Sequence, residues 1–438
     1  MLHIQGKLVR TLGAFGLAAL VAIVAGCGGG GGSSSASTGN ASTSSTGTGG
    51  TLAAGTPVST TPAVLASNQV AVVVASSTTS TARNIPRVSV TVCAPGTGNC
   101  QTIDDIQVDT GSWGLRLMKD AVNSTVLNAL PAQTVGGNPV AECAGFADGN
   151  SWGSVHSADL TIGGETAGSV PIQIIGDLSQ SAAGGASNSC HSGTLNNTSS
   201  AIAAHGILGI GTAKYDCGST CATTTVNNVY YTCTTSGGVT SCTDSTVPLA
   251  QQVINPVRLF ATDNNGVILN MPAVTSAGST RASGFLTFGL GTQSNNVVPT
   301  SGIQKLTTDY FGNVQRASLS GTSVNKAFFD TGSNGLFYSE GLTWCLFARG
   351  FYCPSSTLSR TPSVTGFNGT TASIALSIGN AETLFGDGGY AYNNVAGTMS
   401  GTVFDFGLPF FLGRTVYLNY DPAAGGVGGV ASSAFVAF

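Results

Sequence analysis

Residues 103–117 read IDDIQVDTGSWGLRL, and residues 325–338 read NKAFFDTGSNGLFY. In both, an apolar, strand-like approach ends in Asp-Thr-Gly-Ser, then a glycine and a further apolar run. The two acids are Asp109 and Asp330, 221 positions apart. One such tetrapeptide is unremarkable in a chain rich in Thr, Gly and Ser, and on its own reads as a turn with Asp as turn former. Two copies after matched strands read as an internal repeat. The pattern suits paired-carboxylate chemistry. Two acids held close share a proton, so one takes a proton from water while its partner donates to a carbonyl. Gly111 and Gly332 would let the two loops approach closely. The hydroxyls of Thr110, Ser112, Thr331 and Ser333 would brace the loops and hold the carboxylate oxygens.

The rest of the chain suits that setting. Its 438 residues are enough for two lobes, and only 8% are charged. Short β-branched runs broken by Gly, Asn and Ser predict mostly β structure. The net charge is −4, and −6 once Lys7 and Arg10 are removed with residues 1–26. No basic stripe is present, which excludes a nucleic-acid partner. Residues 1–26 read as a targeting signal: Lys7 and Arg10, then an apolar run from Leu12 to Val24. The closing Val24-Ala25-Gly26-Cys27 resembles a bacterial lipobox, which implies a lipid on Cys27 and attachment to a membrane without a spanning helix. Gly28, where an Asp would retain a lipoprotein inside, implies the outer membrane. Residues 27–66, rich in Gly, Ser and Thr, read as a flexible tether. Setting Cys27 aside leaves ten cysteines, an even number suited to five disulfides in an oxidising compartment. Cys93 with Cys100 and Cys345 with Cys353 read as local bridges. The quartet Cys217, Cys221, Cys233 and Cys242 is open in connectivity, and its spacing does not match a zinc knuckle.

At these residues the chain resembles the pepsin family of aspartic proteases, and also proteobacterial lipoproteins with paired Asp-Thr-Gly-Ser motifs. Gly206-Ile207-Leu208-Gly209-Ile210-Gly211 and Phe404-Asp405-Phe406-Gly407 resemble the apolar-apolar-Gly elements that thread behind each catalytic loop in that family, with Asp405 interrupting the second. Gly284 to Gly289 resembles the strand that begins its C-terminal lobe. Residues 146–163 lie without gaps on the family's flap. There Phe146 takes the place of the flap Tyr, Asp148 and Gly149 follow it, and Arg116 takes the place of the Trp that pairs with that Tyr. The resemblance implies a bilobal, mainly β, pepsin-like acid protease fold with an N-terminal lobe at 67–275, a C-terminal lobe at 276–438 and the cleft between them. It implies an endopeptidase cutting extended peptide or protein substrates, with Asp109 and Asp330 catalytic and no cofactor or metal. A monomer is expected.

Two other readings compete. Gly149-Asn150-Ser151-Trp152-Gly153 matches the nucleophile motif of serine hydrolases, with His156, His191 and His205 as candidate bases, but the following SVHSADLTIG alternates as a strand, where the motif needs a helix. A lipid-tethered pepsin-like cleft could also hold a peptide or protein at the cell envelope without cutting it.

Overall fold

The computed structural model describes residues 55–184, 190, 193–421 and 431–438. The expected signal segment, Cys27, the tether up to residue 54 and His191 lie outside the described residues. The chain is mainly β, and its described α-helices are no longer than six residues. Period-2 alternation accounts for the strands. In Pro86–Cys93, Val88, Val90 and Val92 are buried while Ser89 faces out.

Six strands close into a barrel. In order around the ring they are Pro86–Cys93, Cys100–Asp109, Gly206–Ile210, Trp113–Met118, Glu165–Ile175 and Asn150–Ile162, which pairs back with the first. Closure removes sheet edges, and Val90, Ile106, Leu115, Leu160, Ile172 and Leu208 are among its buried residues. A small sheet around the second motif places Val403–Phe406 parallel to Lys326–Phe329 and antiparallel to Leu336–Tyr338. Aromatic rings pack this part, with Phe329 stacked on Phe406 at 4.9 Å and Phe406 on Phe404 at 4.2 Å.

A further run of strands joins the early and late parts of the chain. Gln69–Val74 pairs with Ala282–Phe288, which pairs with Gly266–Asn270, then Thr415–Asn419, Ala431–Ala437 and Lys305–Asp309. Residue 275 thus falls between two adjacent strands of one sheet. Ordered structure also begins earlier than composition suggests. Within the stretch read as tether, Val58–Ser59 pairs in parallel with Ala282–Ser283, and the Gly55 amide donates to Gly278 O at 2.9 Å. The ladder supplies backbone partners that the local sequence gives no hint of.

Ten cysteines form five disulfides, Cys93–Cys100, Cys143–Cys190, Cys217–Cys221, Cys233–Cys242 and Cys345–Cys353. The quartet therefore resolves into two local bridges. No helix among the described residues is long and apolar enough to cross a membrane.

Candidate paired-carboxylate site

The two motifs are built alike. Cys100–Asp109 ends at Asp109, the chain turns, and it returns as Trp113–Met118. Gly206–Ile210 then lies between these two strands, parallel to one and antiparallel to the other, with Gly209 beside Asp109 and Gly114. The second copy repeats this with Lys326–Phe329, Leu336–Tyr338 and Val403–Phe406, and the Asp330 amide donates to Phe406 O at 3.0 Å. Glycine is required behind each turn. A Cβ at Gly209 would lie 2.5 Å from Trp113 N, and one at Gly407 would lie 2.0 Å from Gly335 O.

The turns meet face to face through reciprocal hydrogen bonds. Thr110 N donates to Thr331 Oγ1 at 3.1 Å, and Thr331 N donates to Thr110 Oγ1 at 3.0 Å. Each hydroxyl then donates across to the opposite motif strand, Thr110 to Phe329 O at 2.8 Å and Thr331 to Val108 O at 2.7 Å. Both threonines are buried. Gln107 Nε2 adds a bond to Gly332 O at 2.9 Å.

This contact sets the acids against each other. A Cβ at Gly111 would lie 2.5 Å from Asp330 Cγ, and one at Gly332 would lie 2.7 Å from Asp109 Cγ. Each carboxylate accepts from its own turn: Asp109 from Gly111 N at 2.7 Å and Ser112 Oγ at 2.5 Å, Asp330 from Gly332 N at 2.7 Å and Ser333 Oγ at 3.2 Å. Burial first, then the charges of Asp109 and Asp405, raise the Asp330 carboxyl well above the usual carboxylate range. Desolvation and a like charge both disfavour its ionised form.

Asp405 is a third acid at this site. It lies on Val403–Phe406, is 1% exposed, and accepts from Ser333 Oγ at 2.5 Å through one oxygen. Its other oxygen has no hydrogen-bond partner among the described residues. Burial raises its carboxyl well above the usual range, the Ser333 hydroxyl partly offsets this, and the Asp109 charge adds to it. The Ser333 hydroxyl has one proton and two carboxyl neighbours. A protonated Asp405 donating to Ser333, which in turn donates to Asp330, gives both hydroxyl protons an acceptor.

Above this floor lies a cavity of about 650 Å³. Asp109, Asp330 and Asp405 line it, as do Phe146 and Asp148 from the tip of the hairpin Asn138–Gly145/Asn150–Ile162. The tip is tight, with Phe146 N donating to Gly149 O at 2.8 Å, and Asn196 Nδ2 donates to Asp148 at 3.1 Å. Thr110, Gly111, Ser112, Gly332 and Ser333 also reach the cavity, Thr331 lies behind its floor, and Gly149 closes the hairpin turn without lining it. Trp113 packs on Phe311, ring centroids 5.4 Å apart.

Arg116 has a role that the sequence did not suggest. Its buried guanidinium donates to Trp113 O at 2.6 Å and pairs with Glu142 on the hairpin and with Asp216 at 3.1 Å. Tyr230 donates to Asp216, and its oxygen accepts from Val253 N at 2.8 Å. One cation serves two buried acids. Glu142 is raised well above its usual range, by burial most of all and by Asp216, against the opposing pull of Arg116. The hairpin is thus fixed to the strand that follows the first motif. A second hairpin, Tyr230–Ser236/Val239–Asp244, pairs Tyr230 with Glu142, and Cys143–Cys190 adds a covalent tie. The only sequence clue is a charged residue within each of two apolar runs.

Ser151 lies within a strand and donates to Asn196 O at 3.3 Å. His156 instead meets Ser154 at 2.7 Å through Nε2, with Asp177 Oδ2 3.9 Å from the same nitrogen, and its Nδ1 faces Leu130 O at 3.0 Å. His205 lies between Thr79 and Asp104 O.

These features define a class: a mainly β chain in which an internal repeat supplies one carboxylate from each copy to the floor of a single cavity. The chain belongs to DUF3443, a family described as protein of unknown function, whose profile matches residues 64–438. A search of curated proteins gives no match.

Proposed function

We propose that the protein is a pepsin-like, bilobal aspartic endopeptidase that binds an extended peptide under the 138–162 hairpin and hydrolyses it. The observation that carries this reading is the reciprocal Thr110–Thr331 contact, which holds Asp109 and Asp330 against each other's glycines. A turn former would not need its counterpart. Asp109 takes a proton from water as the water oxygen attacks the carbonyl carbon, and Asp330 gives its proton to the carbonyl oxygen. As the resulting diol collapses, Asp109 gives its proton to the leaving nitrogen and Asp330 takes one back from a diol hydroxyl, which completes the cut. Burial of Asp330 favours the protonated form this step needs, so activity should be highest at acidic pH and fall as Asp330 ionises. Phe146 would cover the substrate by packing alone, while the Arg116–Glu142 pair holds the hairpin in place.

The N-terminal reading belongs to the same proposal: acylation of Cys27 would hold the monomer at the outer membrane. Radiolabelled palmitate incorporated by the wild type but not by Cys27→Ala would support that part.

Cleavage of an unfolded protein mixture at about pH 4 and about pH 7, with and without pepstatin, tests the enzyme. Cutting abolished by pepstatin and by Asp330→Asn is expected. Pepstatin binding without any cutting would leave a peptide-binding module; labelling of Ser151 by a serine-reactive probe would overturn both readings.

A further inference from the structure

Away from the cavity, the most unusual surface is the loop closed by Cys345–Cys353. Trp344, Leu346 and Phe347 are 66%, 73% and 83% exposed. Isolated exposed apolar side chains are ordinary, but three large ones within four positions are not. The loop is tied by a disulfide and by hydrogen bonds beneath them. Cys345 N donates to Phe351 O at 3.0 Å, Arg349 N to Phe347 O at 3.0 Å, Phe351 N to Ala348 O at 3.1 Å and Cys353 N to Thr343 O at 2.8 Å. The amides of Phe347 and Ala348 both donate to the Glu382 carboxylate. The base packs on buried Ala381, Leu384, Tyr392 and Val395.

This is a knob, not a groove: the amides of Cys345, Phe347, Ala348, Arg349, Phe351 and Cys353 are hydrogen-bonded, and the apolar side chains of Trp344, Leu346 and Phe347 are exposed. Satisfied amides are what a loop needs to enter an apolar phase without losing hydrogen bonds. Trp and Arg suit the interface between lipid headgroups and acyl chains, and Arg349 is exposed beside the aromatic cluster. A relay of contacts links the segment at Gly55 to the base of the loop. Gly55 is bonded to Gly278, a Cβ at Gly278 would meet the Tyr392 ring at 2.4 Å, and Tyr392 packs through Phe385 on Phe351 of the loop.

We propose that the Trp344–Phe347 knob docks the protein on a phospholipid surface, placing Trp344, Leu346 and Phe347 at the headgroup–acyl boundary and Arg349 against phosphate. Phe351 packs on Phe337, which lines the cavity, so docking brings the cavity rim close to the lipid. The proposal depends neither on peptidase activity nor on a lipid at Cys27.

Trp344 reports its own surroundings, because Trp113 and Trp152 are buried at 7% and 0% exposure. The full chain is mixed with phosphatidylcholine vesicles, with and without phosphatidylglycerol, and the Trp344 signal is taken as the difference from Trp344→Phe. Its emission should shift to the blue and be quenched by brominated lipid, more strongly with phosphatidylglycerol present. Replacing Leu346 and Phe347 together by Ser should weaken that response at least about tenfold at unchanged thermal stability. An unshifted Trp344 at saturating lipid overturns the proposal, even if the chain floats with vesicles through its N-terminal segment. So does a blue shift that follows protein concentration without lipid, which would make the knob a contact between two copies.

Discussion

Replacing Thr331 by Val keeps the shape of a fully buried side chain and removes one hydroxyl. That hydroxyl accepts from Thr110 N and donates to Val108 O, so the substitution leaves a buried N–H and a buried C=O without partners. Each such group costs about 1–3 kcal/mol, which makes about 2–6 kcal/mol together. Thr102 provides the control. Its hydroxyl meets Thr91 at 2.8 Å on an exposed face, and Thr102→Val should cost no more than about 0.5 kcal/mol. Urea unfolding followed by intrinsic tryptophan fluorescence measures both, read as a shift in midpoint at constant slope. Thr110→Val should behave like Thr331→Val. The double variant should fall short of the sum by about 0.5–3 kcal/mol, because the second substitution acts on a contact the first has already loosened. If Thr331→Val is no worse than Thr102→Val, the two loops are not held by this contact and the geometric case for the paired acids fails.

Gly111→Ala should lower turnover about 100-fold, because a contact of 2.5 Å to Asp330 Cγ must open by about 1 Å; steady-state kinetics on the folded variant decide it, and undiminished turnover would refute the packing argument. Asp330, Asp405 and Glu142 all have carboxyls raised on folding, so the native state holds more protons than the unfolded chain. The stability they contribute is complete below the usual carboxylate range and is lost as pH rises through the raised values. Thermal midpoints from about pH 4 to about pH 8 should therefore fall less steeply in Asp405→Asn than in the wild type, and an unchanged slope would count against a protonated Asp405. Replacing Cys143 and Cys190 together by Ser should cost about 4 kcal/mol, against about 2 kcal/mol for Cys217 and Cys221, since sequence separations of 47 and 4 close loops of very different entropy. Chemical denaturation ranks the two, and equal losses would refute the loop argument.

How much could be read in advance depended on the range of each interaction. The Asp-Thr-Gly-Ser turns, GILGIG and FDFG are local patterns, and the strands they predict pair around the acids as their glycines require. The bridges Cys93–Cys100 and Cys345–Cys353 span short turns and were equally legible. Arg116, Glu142 and Asp216 belong to three separate segments, so their ion cluster is a product of the tertiary fold, and a lone charge in an apolar run does not say which segment will pair with it. Asp405 read as a flaw in an apolar element because its partner, Ser333, is 72 residues away. Val58–Ser59 lacked any strand signal of its own because its stabilisation comes from the edge it joins.

The reciprocal threonine contact has a consequence for biosynthesis. Asp109 leaves the ribosome well over two hundred residues ahead of its counterpart, and the strand Ala431–Ala437, which closes the sheet beside Lys305–Asp309, comes last of all. Until the second motif has been made, Asp109 lacks the turn whose Gly332 it packs against. On the reading proposed above, a chain that stops short of Asp330 would lack the paired site altogether.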